Sequence, residues 1–128
     1  MPAQVTACRW TLIVHFCTAM LIGIPCLFFV GVAAQWIHWW WYDYSMVKML
    51  GAALIALGIG SLLASRDPLR NRIMVQTEIV FTGLAVLALA YRLIWQSSTT
   101  PRVGWAFLVV LAAFFVAFSI FYPRVERG

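Results

Sequence analysis

Four stretches of this chain are apolar on every side of a helix, with no polar face left for water. They run from about Trp10 to Ala34, from Met46 to Ala64, from about Ile73 to Ile94 and from Val103 to Tyr122. A helix that crosses a hydrocarbon layer of about 30 Å needs about 20 apolar residues. The pattern therefore predicts an all-α integral membrane bundle of four transmembrane helices in a single domain.

The polar positions between the stretches carry helix signals. In Ser65-Arg66-Asp67-Pro68, Asp67 is a good N-cap and Pro68 suits a first helical turn, where its missing N–H costs nothing. The third helix is expected to begin near Pro68. Thr100-Pro101 repeats the device ahead of the fourth span, after an exposed loop at Ser97-Ser98-Thr99. Pro123 closes the fourth span. Pro25 lies inside the first and is expected to bend it, because it removes one backbone hydrogen bond.

Composition agrees with the pattern. The chain is 64% hydrophobic and 10% charged, whereas soluble domains carry about 25% charged residues. The net charge of +5 does not point to nucleic acid, since the basic residues are scattered at the ends of apolar runs. Cys8, Cys17 and Cys26 cannot converge on one metal, because neighbours in that series point to opposite sides of a helix.

Arginine and lysine set the expected orientation. Arg9, Arg66, Arg70, Arg72, Arg124 and Arg127 fall on one side, and Lys48, Arg92 and Arg102 on the other. The excess places both termini in the cytoplasm, and the expected location is a bacterial inner (cytoplasmic) membrane. The connection QWIHWWWYDYSMVK then lies on the outer face. Trp36, Trp39, Trp40, Trp41, Tyr42 and Tyr44, with Trp95 and Trp105 from the other outer loop, are expected to form an aromatic belt at the headgroup level.

Packing in lipid depends on close backbone approach. Ala52, Ala56, Gly60 and Ala64 recur at four-residue spacing and are expected to be the packing stripe of the second span. Thr11, His15, Ala19 and Gly23 do the same on the first. Phe107, Phe114, Phe115, Phe118 and Phe121 are bulky and spread around the fourth span, and are expected to turn it toward lipid or a partner protein.

Glu78 is the only acidic residue within a span. An ionisable group at that depth needs a partner. His15 lies at a similar depth, so the two are expected to meet as an interhelical polar clasp, with Arg70 and Arg72 as competing partners for the carboxylate. His15 and His38 are also candidate ligands for haem iron or for the magnesium of a chlorophyll-type pigment. They stand about 35 Å apart at helical rise, so one haem cannot use both. No Ser-His-Asp set, phosphate loop or metal-spaced carboxylate pair is present, and the expectation is that the chain is not an enzyme.

The stretch GAALIALGIGSLLASRDPLRNRIMV, a small-residue helix followed by a basic turn, resembles small bacterial four-helix membrane proteins of the DoxX-like sort. The resemblance covers the central third of the chain and brings no catalytic motif. Length and span number are also similar to small multidrug-resistance transporters. Those place an essential glutamate in the middle of the first span, which here has no acidic residue.

The leading expectation is an accessory subunit of a larger membrane complex, of respiratory or photosynthetic kind, packed against partner transmembrane subunits and lipids. The alternatives are a pigment- or haem-binding bundle using His15 or His38, and a small proton-coupled transporter using Glu78.

Overall fold

The structure, a computed structural model, describes residues 3–38, 44–96 and 102–124. Within them the regular structure is all helix, as α1 (Ala3–Phe28), α2 (Val30–Ile37), α3 (Tyr44–Ala64), α4 (Arg72–Trp95) and α5 (Val103–Ile120). All but α2 are long and apolar enough to cross a membrane. The fold is an antiparallel bundle of four long helices.

The first span departs from its expected limits. It is already helical at Ala3 and is interrupted at Phe29 (φ −130°, ψ 40°). Pro25 lies within α1, and the irregular residue comes one turn after it rather than at it. The Phe29 N–H still bonds the Pro25 carbonyl at 2.9 Å, so the chain continues into α2 with little loss of hydrogen bonding. α2 ends at His38, whose left-handed backbone (φ 53°) lets its N–H reach the carbonyls of Ala34 and Gln35.

The third span also starts later than expected. Asp67 does cap a turn, since its Oδ1 accepts the Arg70 N–H at 3.1 Å. That turn closes on itself, with Asn71 N–H on the Asp67 carbonyl. α4 begins only at Arg72. The cap therefore organises the tight connection after α3, and α4 follows as a separate helix. Ser97, Ser98, Thr99, Thr100 and Pro101 lie outside the described residues.

The helices pack as two pairs. In the first, α1 lies along α3 with backbone against backbone. A Cβ added to Gly51 would stand 2.7 Å from Leu27 N and 2.8 Å from the Gly23 carbonyl oxygen. Lower down, Gly58 receives Ala19 and Met20. The α1 side of this seam is Val5, Cys8, Leu12, His15, Ala19, Gly23 and Cys26, all buried. Their spacing of three or four residues keeps one face turned to α3. In the second pair, α4 lies against α5, with Gly83 under the ring of Phe115.

The two pairs join near the end that holds both described termini. Cys8, Leu12, Ala64, Val75 and Phe118 form a buried cluster drawn from α1, α3, α4 and α5. Polar bonds reinforce it. Gln4 donates to the Tyr122 carbonyl at 2.7 Å, Arg9 to the Arg66 carbonyl at 3.1 Å, and Gln76 to the Tyr122 hydroxyl at 2.8 Å.

The packing stripe of α3 is not the expected one. Ala52 and Ala56 are exposed, while Gly51, Gly58 and Ser61 are buried. All of these residues are small, so size alone could not rank the faces. The helix turned Gly51 and Gly58 to α1, where contact is closest. Gly60 meets Met74 of α4 and Ala64 enters the four-helix cluster. Ala53 and Ala56, one to two turns further along that side, are exposed. On α4, Leu84, Leu87 and Ala88 are exposed as well. The pairs thus meet at one end and uncover small-residue surface toward the other.

The phenylalanines of α5 correct a second expectation. Phe118 is fully buried, and Phe114 and Phe121 pack beside it. Phe107, Phe114, Phe118 and Phe121 follow spacings of seven, four and three, which place them on one face. That face looks into the bundle.

Candidate intramembrane polar site

Where the two pairs join, three polar side chains meet inside the apolar bundle. His15 comes from α1, Ser61 from α3 and Glu78 from α4. Ser61 Oγ donates to Glu78 Oε1 at 2.7 Å. His15 Nδ1 lies 3.0 Å from the same Ser61 oxygen. His15 Nε2 stands 3.4 Å from Glu78 Oε2. The last approach is too long for a strong hydrogen bond. Among the described residues, Oε2 has no hydrogen-bond partner. We read the histidine–glutamate contact as electrostatic proximity, and the serine as the bonded bridge.

Each residue reaches the site for a local reason. His15 and Ser61 both lie on the α1–α3 seam, where small neighbours bring the helices together. Glu78 shares a face of α4 with Val75 and Thr82, and all three have no exposed surface. Thr82 donates back to the Glu78 carbonyl at 2.7 Å and so spends its hydroxyl on its own helix. From α5 the rings of Phe114 and Phe118 meet the imidazole edge-on, with centroids at 5.0 and 5.5 Å.

The site is buried and deep. Glu78 has no exposed surface and His15 has 5%. By helical rise, His15 lies about 9 Å beyond Arg9, and Glu78 about 9 Å beyond Arg72. Leu12, Val75 and Phe118 close the space toward that basic end. A carboxyl group in such surroundings is retained only with polar partners, and Ser61 and His15 supply them.

The structure therefore brings together His15 and Glu78. It does not bring Arg70 or Arg72 to the carboxylate, and both arginines are exposed. Ser61 is the member of the site that sequence reasoning missed. In the sequence it reads as one more small residue of α3. Its signal was its place on the same helical face as Gly51 and Gly58.

The proposed cofactor ligands are distributed differently. Both imidazole nitrogens of His15 face Ser61 and Glu78, which leaves neither directed at a metal. His38 is exposed at the end of α2. Among the described residues no cluster of three or more histidine, cysteine, aspartate or glutamate side chains is set to hold a metal ion. Cys8 and Cys26 are buried and Cys17 is exposed, as their spacing requires.

Of the aromatic belt, Trp39, Trp40, Trp41 and Tyr42 lie outside the described residues, and Tyr44 opens α3. Trp36, Trp95 and Trp105 are exposed. Trp95 stacks on Tyr91 at 5.1 Å.

No family model, no curated protein and no solved structure matches the chain.

Proposed function

We propose that this chain is a non-catalytic subunit of a larger membrane assembly, and that its polar clasp fixes the angle at which it presents two helices to a partner. The observation that carries this reading is the exposure of Ala53 and Ala56, on the side of α3 that meets α4 at Gly60 and Ala64. In lipid, small residues favour helix association because they admit a neighbouring backbone. A lone bundle would gain by closing α4 over this surface. Here it stays open for a helix from another chain.

The clasp supports the same reading. A join of His15, Ser61 and Glu78 is directional, as apolar contacts are not. It sets one crossing geometry between the pairs. The aromatic residues of the outer connection would anchor that geometry at the membrane surface, in a bacterial inner membrane with both termini in the cytoplasm.

The test is native separation of mildly solubilised membranes, with mass spectrometry of the band that contains the chain. The expected result is a high-mass band with defined companions, lost in Ala53→Trp and Ala56→Trp while helix content is kept. A stable, monodisperse free protomer from native membranes contradicts the proposal.

A further inference from the structure

With Glu78 as a carboxylate, the clasp has more edges than its side chains have hydrogens. Its three edges are Nδ1 to Oγ, Oγ to Oε1, and Nε2 to Oε2. A serine hydroxyl supplies one hydrogen and a neutral imidazole supplies one. With Ser61 donating to Oε1, the imidazole hydrogen must sit on Nδ1 and point to Ser61. Nε2 then faces Oε2 with a lone pair on each side. Running the bonds around the ring in the opposite sense changes the donors but not the number. One further hydrogen is needed to close the ring, and its place is the 3.4 Å gap in front of the unbonded Oε2.

We propose that His15, Ser61 and Glu78 form a binding site for a single proton, shared between the imidazole and the carboxyl, and that holding this proton fastens the α1–α3 pair to α4. The ligand is the proton itself. It is taken from water and returned to water, with only an N–H or O–H bond made or broken.

Charge accounting ties occupancy to closure. With the proton bound, the ring is neutral overall, either as two neutral groups or as an imidazolium–carboxylate pair. Without it, the ring carries one negative charge among Leu12, Val75, Phe114 and Phe118. Among the described residues, no cation lies near enough to offset that charge. On α1 the nearest cation is Arg9, about two turns away and bonded to the Arg66 carbonyl. Cys8 on α1 is buried beside Leu12. α3 has no charged group within its last four turns, and Arg66 just beyond it is exposed. On α4, Arg72 is exposed, as is Arg70 ahead of it. α5 has no charged residue. A bare buried charge draws in water or separates the surfaces around it. Proton release therefore loosens the join between the pairs.

Proton binding at the clasp does not depend on the partner assembly. Glutamate occurs only at positions 78 and 126, and histidine only at 15 and 38. The full chain carrying Glu126→Gln and His38→Gln therefore has one of each. With carbon-13 in glutamate and nitrogen-15 in histidine, infrared and NMR spectra of the reconstituted protein follow both groups across pH. The expected result is one titration step reported by both labels. Glu78→Gln should remove that step from His15, because the amide supplies the third hydrogen permanently and keeps the ring closed. Two independent steps, or a carboxylate and a neutral imidazole coexisting unchanged across the range, would overturn the proposal. If Glu78→Gln does not fold, the coincidence of the two labels in the parent protein decides alone.

Discussion

Ser61 on α3 donates a 2.7 Å hydrogen bond to Glu78 on α4, and both side chains are wholly buried. This bond crosses from one helix pair to the other. Removing it leaves a carboxylate oxygen and an imidazole nitrogen facing an empty place. Ser61→Ala should therefore destabilise the bundle by about 1–3 kcal/mol. Ser119→Ala is the control, since its exposed hydroxyl bonds the Phe115 carbonyl of its own helix, and it should stay within about 0.5 kcal/mol. Reversible unfolding in mixed detergent micelles measures both. Equal, small effects would remove the bridge from the account.

Gly51 is the tightest point of the α1–α3 seam. An added methyl group meets backbone atoms of Leu27, Gly23 and Cys26 at 2.7–3.0 Å, and backbone cannot swing aside. Gly51→Ala should cost about 1–3 kcal/mol. Gly31, with nothing within 4 Å of an added Cβ, should tolerate Ala and gain up to about 1 kcal/mol from helix propensity. The same unfolding assay compares them, and a neutral Gly51→Ala would mean the helices stand further apart.

Phe118→Ala removes a fully buried ring that touches His15. The expected loss is about 1–3 kcal/mol. That is below the usual cost in soluble cores, because lipid is as apolar as the site vacated. The loss should exceed that of Phe115→Ala. The reverse order would place α5 the other way round against the bundle.

His38 holds a left-handed backbone at φ 53°, a conformation that glycine adopts without cost. His38→Gly is expected to stabilise the end of α2 by about 0.5–1 kcal/mol. The ligand role suggested by the sequence makes an opposing forecast, namely loss of a visible absorption band. Thermal unfolding and an absorption spectrum of the same variant separate the two.

Much of this arrangement could be read from the chain. The four apolar runs, the pairing of Glu78 with His15 and the inward stripe from His15 to Gly23 all rest on periodicity or on the cost of an ionisable group in lipid. What could not be read was which small residues of α3 would be covered. Gly51, Ala52, Ala53, Ala56, Gly58, Gly60 and Ser61 leave every face thin, and hydropathy does not separate them. Only the fit of Gly51 to the α1 backbone did. The same ambiguity hid Ser61. The inward face of α5 was missed, because five phenylalanines taken together circle the helix and bulk in lipid gives no preference for inside or outside.

The two helix pairs are held at the clasp and open beyond it. Cysteine pairs in a cysteine-free background test this directly in native membranes. Gly60→Cys with Met74→Cys lies beside the clasp, and Ala53→Cys with Ala85→Cys lies about two turns beyond it, by the antiparallel run of α3 and α4. A short thiol cross-linker should join the first pair efficiently and the second poorly. Equal joining at both levels would mean that α4 closes over α3 along its length, and would contradict the open face on which the proposed assembly depends.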